Sequence, residues 1–215
     1  MHWNGQTYRF LPSDFVAKSH NEERYGPLPE GMTVQDYGVT YDELEPHFDY
    51  FEKICGICGT AGNLRGDIRE GGNPFEGPRS DDYPNPPMQM TFSQDRFEAS
   101  ARELGLNPFP VPSANMSRAY VNPLGLQLAP CTYCGFCEKH GCGNYSKSSP
   151  QTTIIPVLMK RENFTLRTDS EVLSVEKSPD GTRTTGSPTS IPAVRNSFSL
   201  PRSWCSVLTR LRTPG

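Results

Sequence analysis

The chain has 215 residues, 21 Lys and Arg against 24 Asp and Glu, and a formal net charge of −3, so it lacks the basic field that nucleic acid requires and is predicted not to bind it. Its 19 Gly and 21 Pro, close to a fifth of all residues, predict much loop. No run of about 18 apolar residues marks a membrane span, and the stretch MHWNGQTYRF lacks the charged start and apolar middle of a signal peptide; the chain expressed alone is predicted to be cytoplasmic.

Up to residue 39 the sequence is aromatic and polar, with a turn at GPLPEG and no sustained period, which predicts irregular structure. Thr40 followed by Glu43 is a capping box, and Leu44, Phe48, Phe51 and Cys55 then recur at helical spacing, so an amphipathic helix is predicted over 40–55, stopped by Gly56. Residues 59–87 are thick with Gly and Pro. A loop of that length inside a compact domain is either functional or draped over a larger body. A second capping box, Thr91 with Gln94, opens another helix, whose predicted buried face is Phe97, Ala101 and Leu104 and whose stop is Gly105. After residue 160, FTLRT and EVLSVEK have strand composition and SPDGT is a turn, predicting a hairpin whose second arm begins near Arg183. From Ser187 onward neither helical nor strand period is visible.

Seven cysteines are an odd number, and four of them fall together in CTYCGFCEKHGC, residues 131–142. Neighbouring thiols this close cannot all pair with good disulfide geometry, so the C-x2-C-x2-C-x4-C run reads as a metal or cluster site. Structural zinc sites usually use two knuckles separated by a dozen or so residues. Cys131, Cys134 and Cys137 match instead the successive two-residue spacers of iron–sulfur proteins, although the ferredoxin pattern places its fourth cysteine differently. Iron–sulfur, zinc and plain structural cysteine all remain open on spacing alone. Gly135, Gly141 and Gly143 suit a backbone that wraps a cluster, and His140 reads as a neighbour of the site rather than a ligand. Cys55 and Cys58 form CGIC, but Cys55 lies on the apolar helix face, which predicts buried core rather than a redox dithiol. His2, His20 and His47 have no partner by spacing. Asn115, Asn144 and Asn163 open glycosylation sequons that matter only in a eukaryotic secretory setting.

The stretches HWNGQTYRFLPSDF, SHNEERYG, QDYGVTYDELEPHFDYFEKICG, GGNPFEGPRS, YPNPPMQMT, SANMSRAYVNPLGLQLAPCTYCGFCEKHGC and SSPQTTIIPVLM resemble the flavoprotein subunits of glucose-methanol-choline (GMC) oxidoreductases. The resemblance runs from His2 to about Gly186. It implies an α+β fold that is the irregular, loop-rich middle portion of a two-domain FAD-binding enzyme: 1–130 as a partial FAD and substrate-domain segment, 131–186 as the cysteine loop and hairpin. It also implies FAD as cofactor, with Trp3, Asn4 and Gly5 ending a loop against the flavin ring, His2 beside them, and Val172 touching the adenine through its backbone. By the same resemblance Cys131, Cys137 and Cys142 would hold a 3Fe-4S iron–sulfur cluster, with Cys134 a nearby fourth thiol. The implied reaction is oxidation of a CH–OH group of a sugar acid or polyol. Electrons would pass to a cytochrome c subunit in a complex that also has a small subunit, at the periplasmic face of the bacterial inner membrane. The competing expectation is a zinc-stabilised binding module using Cys131, Cys134, Cys137 and Cys142.

Two departures from the family pattern stand out. No G-x-G-x-x-G occurs, so the N-terminal Rossmann βαβ that grips the pyrophosphate is lacking. The family's catalytic base, a His with a His or Asn companion, would lie beyond the last residue, so no catalytic residue is assigned and the chain alone is predicted to be inactive. For 187–215 the possible codons of GSPTSIP, shifted by one base, permit the strand-like word Val-Thr-Tyr-Ile-Asp. An out-of-frame, disordered tail is therefore expected after about Gly186, and Cys205 then needs no role.

Overall fold

The computed structural model describes residues 5–137, 140–191 and 194–199, which fall in two compact units, 1–161 and 162–215. In the first unit, helices α1 (Pro12–Phe15), α2 (Ala17–Tyr25), α3 (Tyr41–Cys55) and α4 (Phe92–Glu103) alternate with the two-stranded ribbons β1 (Asn63–Leu64) with β2 (Asp67–Ile68) and β3 (Tyr120–Val121) with β4 (Gln127–Leu128); short helices α5 (Pro150–Thr153) and α6 (Ile155–Leu158) follow.

The segment expected to be irregular holds α1 and α2. Their sequence carries no apolar period, and α2 buries no residue. Its opening turn is capped from a distance: the Asp36 carboxylate accepts from the backbone N–H groups of Lys18 (2.9 Å) and Ser19 (3.2 Å). Hydrogen bonds from Ser19 hold that carboxyl below the usual carboxylate range. A long-range cap of this kind leaves no mark in a local sequence window.

Helix α3 begins and ends where its caps predict. The Thr40 hydroxyl accepts from Glu43 N (3.2 Å), the Glu43 carboxylate accepts from Thr40 N (2.7 Å), and Gly56 takes the left-handed conformation at φ 63°. Its buried face differs from the expected one. Phe51 is 48% exposed, whereas Tyr41, Glu52 and Cys55 are buried. The stripe that packs inward thus carries glutamate where an apolar period would not look for a core residue. Glu52 receives two buried guanidinium groups: Arg9 (Nε to Oε1, 2.9 Å; Nη2 to Oε2, 3.0 Å) and Arg79 (Nη1 to Oε1, 3.3 Å; Nη2 to Oε2, 2.5 Å). Glu45 adds a bond from Arg9 at 2.8 Å. Arg79 stacks 3.7 Å over the Tyr83 ring and pairs with Glu76, so the 59–87 loop is anchored from within by its own charged residues. Two glycines meet inside that loop: a Cβ on Gly62 would stand 2.0 Å from the Asn73 carbonyl oxygen, which only glycine permits.

Helix α4 also spans its predicted range, with Thr91 N donating to Gln94 Oε1 at 2.8 Å. Of the face expected to be buried, only Ala101 is; Phe97 is 72% and Leu104 78% exposed. The capping residues suffice to place the helix, and among the described residues nothing covers those two side chains.

The core of the first unit is a web of single β-bridges rather than a regular sheet. Ser113 bridges both Gln6 and Cys58, Cys58 also bridges Asn85, and Asn115 bridges Lys147. Ile57, Cys58, Ala114, Met116 and Ser148 are buried where these strands cross. The Ser148 hydroxyl donates to the Cys55 carbonyl.

In the second unit β5 (Glu171–Val172) and β6 (Glu176–Lys177) each pair antiparallel with β7 (Thr184–Ile191), which also pairs with β8 (Val194–Ser199). The SPDGT turn closes as expected, with Gly181 at φ 71°; hydrogen bonds from Ser178 and Thr182 hold the Asp180 carboxyl down to about 2. FTLRT is not a strand. The expected out-of-frame tail falls partly on β7 and β8 and partly on residues 200–215, which lie outside the described residues.

Candidate functional site

The cysteine loop leaves and re-enters the core at one residue. Met116 accepts at its carbonyl from Cys131 N (2.8 Å) and donates its own N–H to the Ser146 carbonyl (3.2 Å), so both feet of the loop stand on the same buried residue. Between the feet the backbone turns through positive φ at Tyr133 (53°), Gly135 (79°) and Tyr145 (58°), a conformation rare for tyrosine. Side chains hold the bends. Asn144 donates to the Pro130 carbonyl at 3.1 Å and accepts from the Cys142 thiol at 2.8 Å, the Tyr133 hydroxyl accepts from Gln89 N at 2.8 Å, and Cys131 Sγ accepts from Tyr133 N at 3.3 Å.

All four thiols of the loop are free; Cys134 is exposed, and Cys131, Cys137 and Cys142 are half-buried. Burial pushes the Cys137 thiol up, and the neighbouring Cys131, Cys134 and Cys142 add to the shift while Lys147 opposes it. The other three cysteines thus lie close enough to Cys137 to act on its thiol, and sulfur is the donor that iron–sulfur clusters and zinc both take. In donor chemistry the loop fits such a group. In geometry it is open: among the described residues no three of His, Cys, Asp or Glu are placed to hold a metal ion. His140 packs edge-on against Phe136, ring centroids 6.2 Å apart.

Cys55 is a core residue, as its place on the helix predicted, and Cys58, three residues past the end of the helix, is buried as well. Burial pushes their thiols up to about 12 and about 11, and the Cys58 thiol lies against the carbonyls of Ser113 and Asn115. Of the residues expected near the flavin, His2, Trp3 and Asn4 lie outside the described residues. Gly5 is buried at φ 80°, and its carbonyl accepts from Ala114 N at 2.7 Å. Val172, expected at the adenine, is on β5 of the second unit, opposite Thr189. Sequence reasoning missed Met116, Asn144 and Lys147 as supports of the loop. Only for Asn144 was there a local signal, the crowding of Asn and Ser just after the cysteines.

No family model matches the chain. It is 42% identical over 191 residues to the gluconate 2-dehydrogenase flavoprotein of Pantoea cypripedii, covering 86% of this chain and 31% of that protein. It is 33% identical over 121 residues to the fructose dehydrogenase large subunit of Gluconobacter japonicus, covering 55% and 19% of the respective chains. With paromamine 6'-oxidase of Streptomyces fradiae it shares 26% identity over 176 residues, 81% and 27% of the two chains. The chain thus spans less than a third of the length of these curated relatives. The similarities show the relationship that the sequence words implied, kinship with the oxidoreductases of the GMC family. Within that class, the relative matched over most of this chain at 42% identity is the gluconate 2-dehydrogenase flavoprotein.

Proposed function

We propose that this chain is the middle portion of a two-domain, FAD-dependent GMC dehydrogenase that oxidises a CH–OH group of a sugar acid, and that the Cys131–Cys142 loop is its electron relay. The observation that carries the reading is the coincidence of 42% identity to a gluconate 2-dehydrogenase flavoprotein with four free thiols on one loop whose feet share Met116. Cys131, Cys137 and Cys142 would hold an iron–sulfur cluster, with Cys134 as a spare thiol. Gly5, with His2, Trp3 and Asn4, would flank the flavin ring, and Val172 would meet the adenine. Bound FAD supplies the hydride acceptor, and a cluster supplies one-electron transfer onward to a cytochrome c subunit.

The loop's own contribution is to fix thiolates on a strained backbone and to offer N–H groups, such as that of Tyr133, to sulfur. Hydrogen bonds to sulfur are one of the ways a protein sets a cluster's potential. No residue of this chain is assigned as catalytic base, so the activity belongs to the longer flavoprotein. We place that flavoprotein with its small and cytochrome subunits at the periplasmic face of a bacterial inner membrane; among the described residues no helix is long and apolar enough to cross a membrane.

The test is a visible spectrum with iron, sulfide and zinc analysis of the chain purified without air. A brown protein with roughly three or four iron atoms per chain supports the relay. A colourless protein with about one zinc per chain overturns it in favour of a structural zinc loop.

A further inference from the structure

Lys147 is only 1% exposed. Its Nζ donates to the carbonyl of Cys137 at 2.6 Å, and its Cε lies 3.8 Å from where a Cβ on Gly5 would stand. Its backbone is locked beside both: Asn115 bridges Lys147, Ser148 N donates to the Ala114 carbonyl at 2.9 Å, and Ala114 N donates to Gly5 O. One side chain therefore spans from the segment expected at the flavin to the middle of the cysteine loop. A buried ammonium costs several kcal/mol unless an anion offsets it. Among the described residues no carboxylate pairs with Lys147; every ion pair of this unit involves Arg9, Lys53, Arg65, Arg69, Arg79 or Arg102. Its Nζ is hydrogen-bonded to the Cys137 carbonyl, so its charge sits on the loop that carries the four thiols.

We propose that Lys147 is a positioning residue for the electron relay: it pins the Cys137 carbonyl so that the cysteine loop keeps its place on the Gly5 segment, and its charge offsets that of the metal-bound thiolates. This rests on the reading of the loop as an iron–sulfur site. A lysine that merely fills space would leave the electronic properties of a bound cluster unchanged. A fixed positive charge stabilises the reduced, more negative state and raises the potential.

The experiment loads the chain with ferrous iron and sulfide under anaerobic conditions and compares it with Lys147→Met and Lys147→Arg. Iron content, the electron paramagnetic resonance spectrum and the reduction potential from a dye-mediated titration are read for each. The expected result is that Lys147→Met weakens iron retention about 10-fold or more, that the cluster it keeps is reduced at a more negative potential, and that Lys147→Arg restores both. If the unaltered chain loads but Lys147→Met matches it in iron content and potential, the inference is wrong and the relay reading stands. If the unaltered chain takes up no iron, the relay reading fails and this inference with it. Should Lys147→Met lose the circular dichroism of the unaltered chain, Lys147→Gln replaces it, since it keeps a polar N–H group in the buried site on a side chain one bond shorter and removes the charge; unchanged potential and iron content in that variant likewise overturn the proposal.

Discussion

Replacing Glu52 by Gln removes one carboxylate from between Arg9 and Arg79, and the structure says how much that costs. Each Glu52 oxygen is shared: Oε1 accepts from Arg9 Nε and Arg79 Nη1, and Oε2 from Arg9 Nη2 and Arg79 Nη2. Whichever oxygen becomes an amide nitrogen, two guanidinium N–H groups lose their acceptor and face another donor. Arg9 and Arg79 are 5% and 1% exposed, so water does not replace what is lost. Two buried, charge-assisted bonds unmade cost about 1.5–3 kcal/mol each, about 3–6 kcal/mol together, which overlaps the roughly 3–5 kcal/mol typical of a broken buried pair. Glu45 and Glu76 remain beside the two arginines, which keeps the loss near the lower end, about 3 kcal/mol. With a slope of about 2 kcal/mol per molar urea, the midpoint followed by circular dichroism falls by about 1.5 M. Glu45→Gln is the control: Arg9 keeps Glu52, and the loss is about 1 kcal/mol. A Glu52→Gln midpoint within about 0.3 M of the unaltered chain, or a Glu45→Gln loss as large as that of Glu52→Gln, would refute the account of this network.

Three further outcomes can be checked. Burial pushes the Glu45 carboxyl up, but hydrogen bonds from Arg9 and Ser80 outweigh it and leave it lowered; its contribution is therefore present above the unfolded carboxylate value and lost as pH falls through the lower, folded one, so Glu45→Gln should flatten the acid limb of a stability–pH curve, and an unchanged limb contradicts this. With thiols pushed up to about 12 and about 11, Cys55 and Cys58 should resist iodoacetamide at neutral pH while the exposed Cys134 is modified; peptide mapping that finds Cys58 labelled as fast as Cys134 rules out the buried assignment. For the tail, the coding DNA aligned with a full-length relative should show a single-base insertion or deletion near codon 186, and an uninterrupted reading frame there ends the idea.

The elements readable in advance were those written in local chemistry. Thr40, Glu43 and Gly56 bound α3, Thr91, Gln94 and Gly105 bound α4, and Pro179 with Gly181 marks the turn before β7. What packs against what was less legible. An apolar period cannot register a buried face built on Glu52, because its stabilisation comes from arginines 43 residues upstream and 27 downstream. Phe97 and Leu104 carry the pattern of a buried face without being covered among the described residues. At the site, spacing alone gathered Cys131, Cys134, Cys137 and Cys142. The supports beneath them, Met116 and Lys147, are single residues in unremarkable surroundings, and only the chain's path brings them there.

The bridges through Ser113 have a consequence for how this polypeptide is made. Its crossing strands come from around residues 6, 58, 85, 113 and 147, and the Ser148–Cys55 bond spans 93 positions. Local turns and capped helices can form as the ribosome delivers them, but the hub cannot close until residue 148 has left the exit tunnel. At roughly 5–20 residues per second the segments made first wait for several seconds with their apolar sides open. Such a topology is slow to fold and exposed to aggregation while it waits, so the yield of native protein from a cell should depend on chaperones and on translation speed more than on the stability of the finished fold.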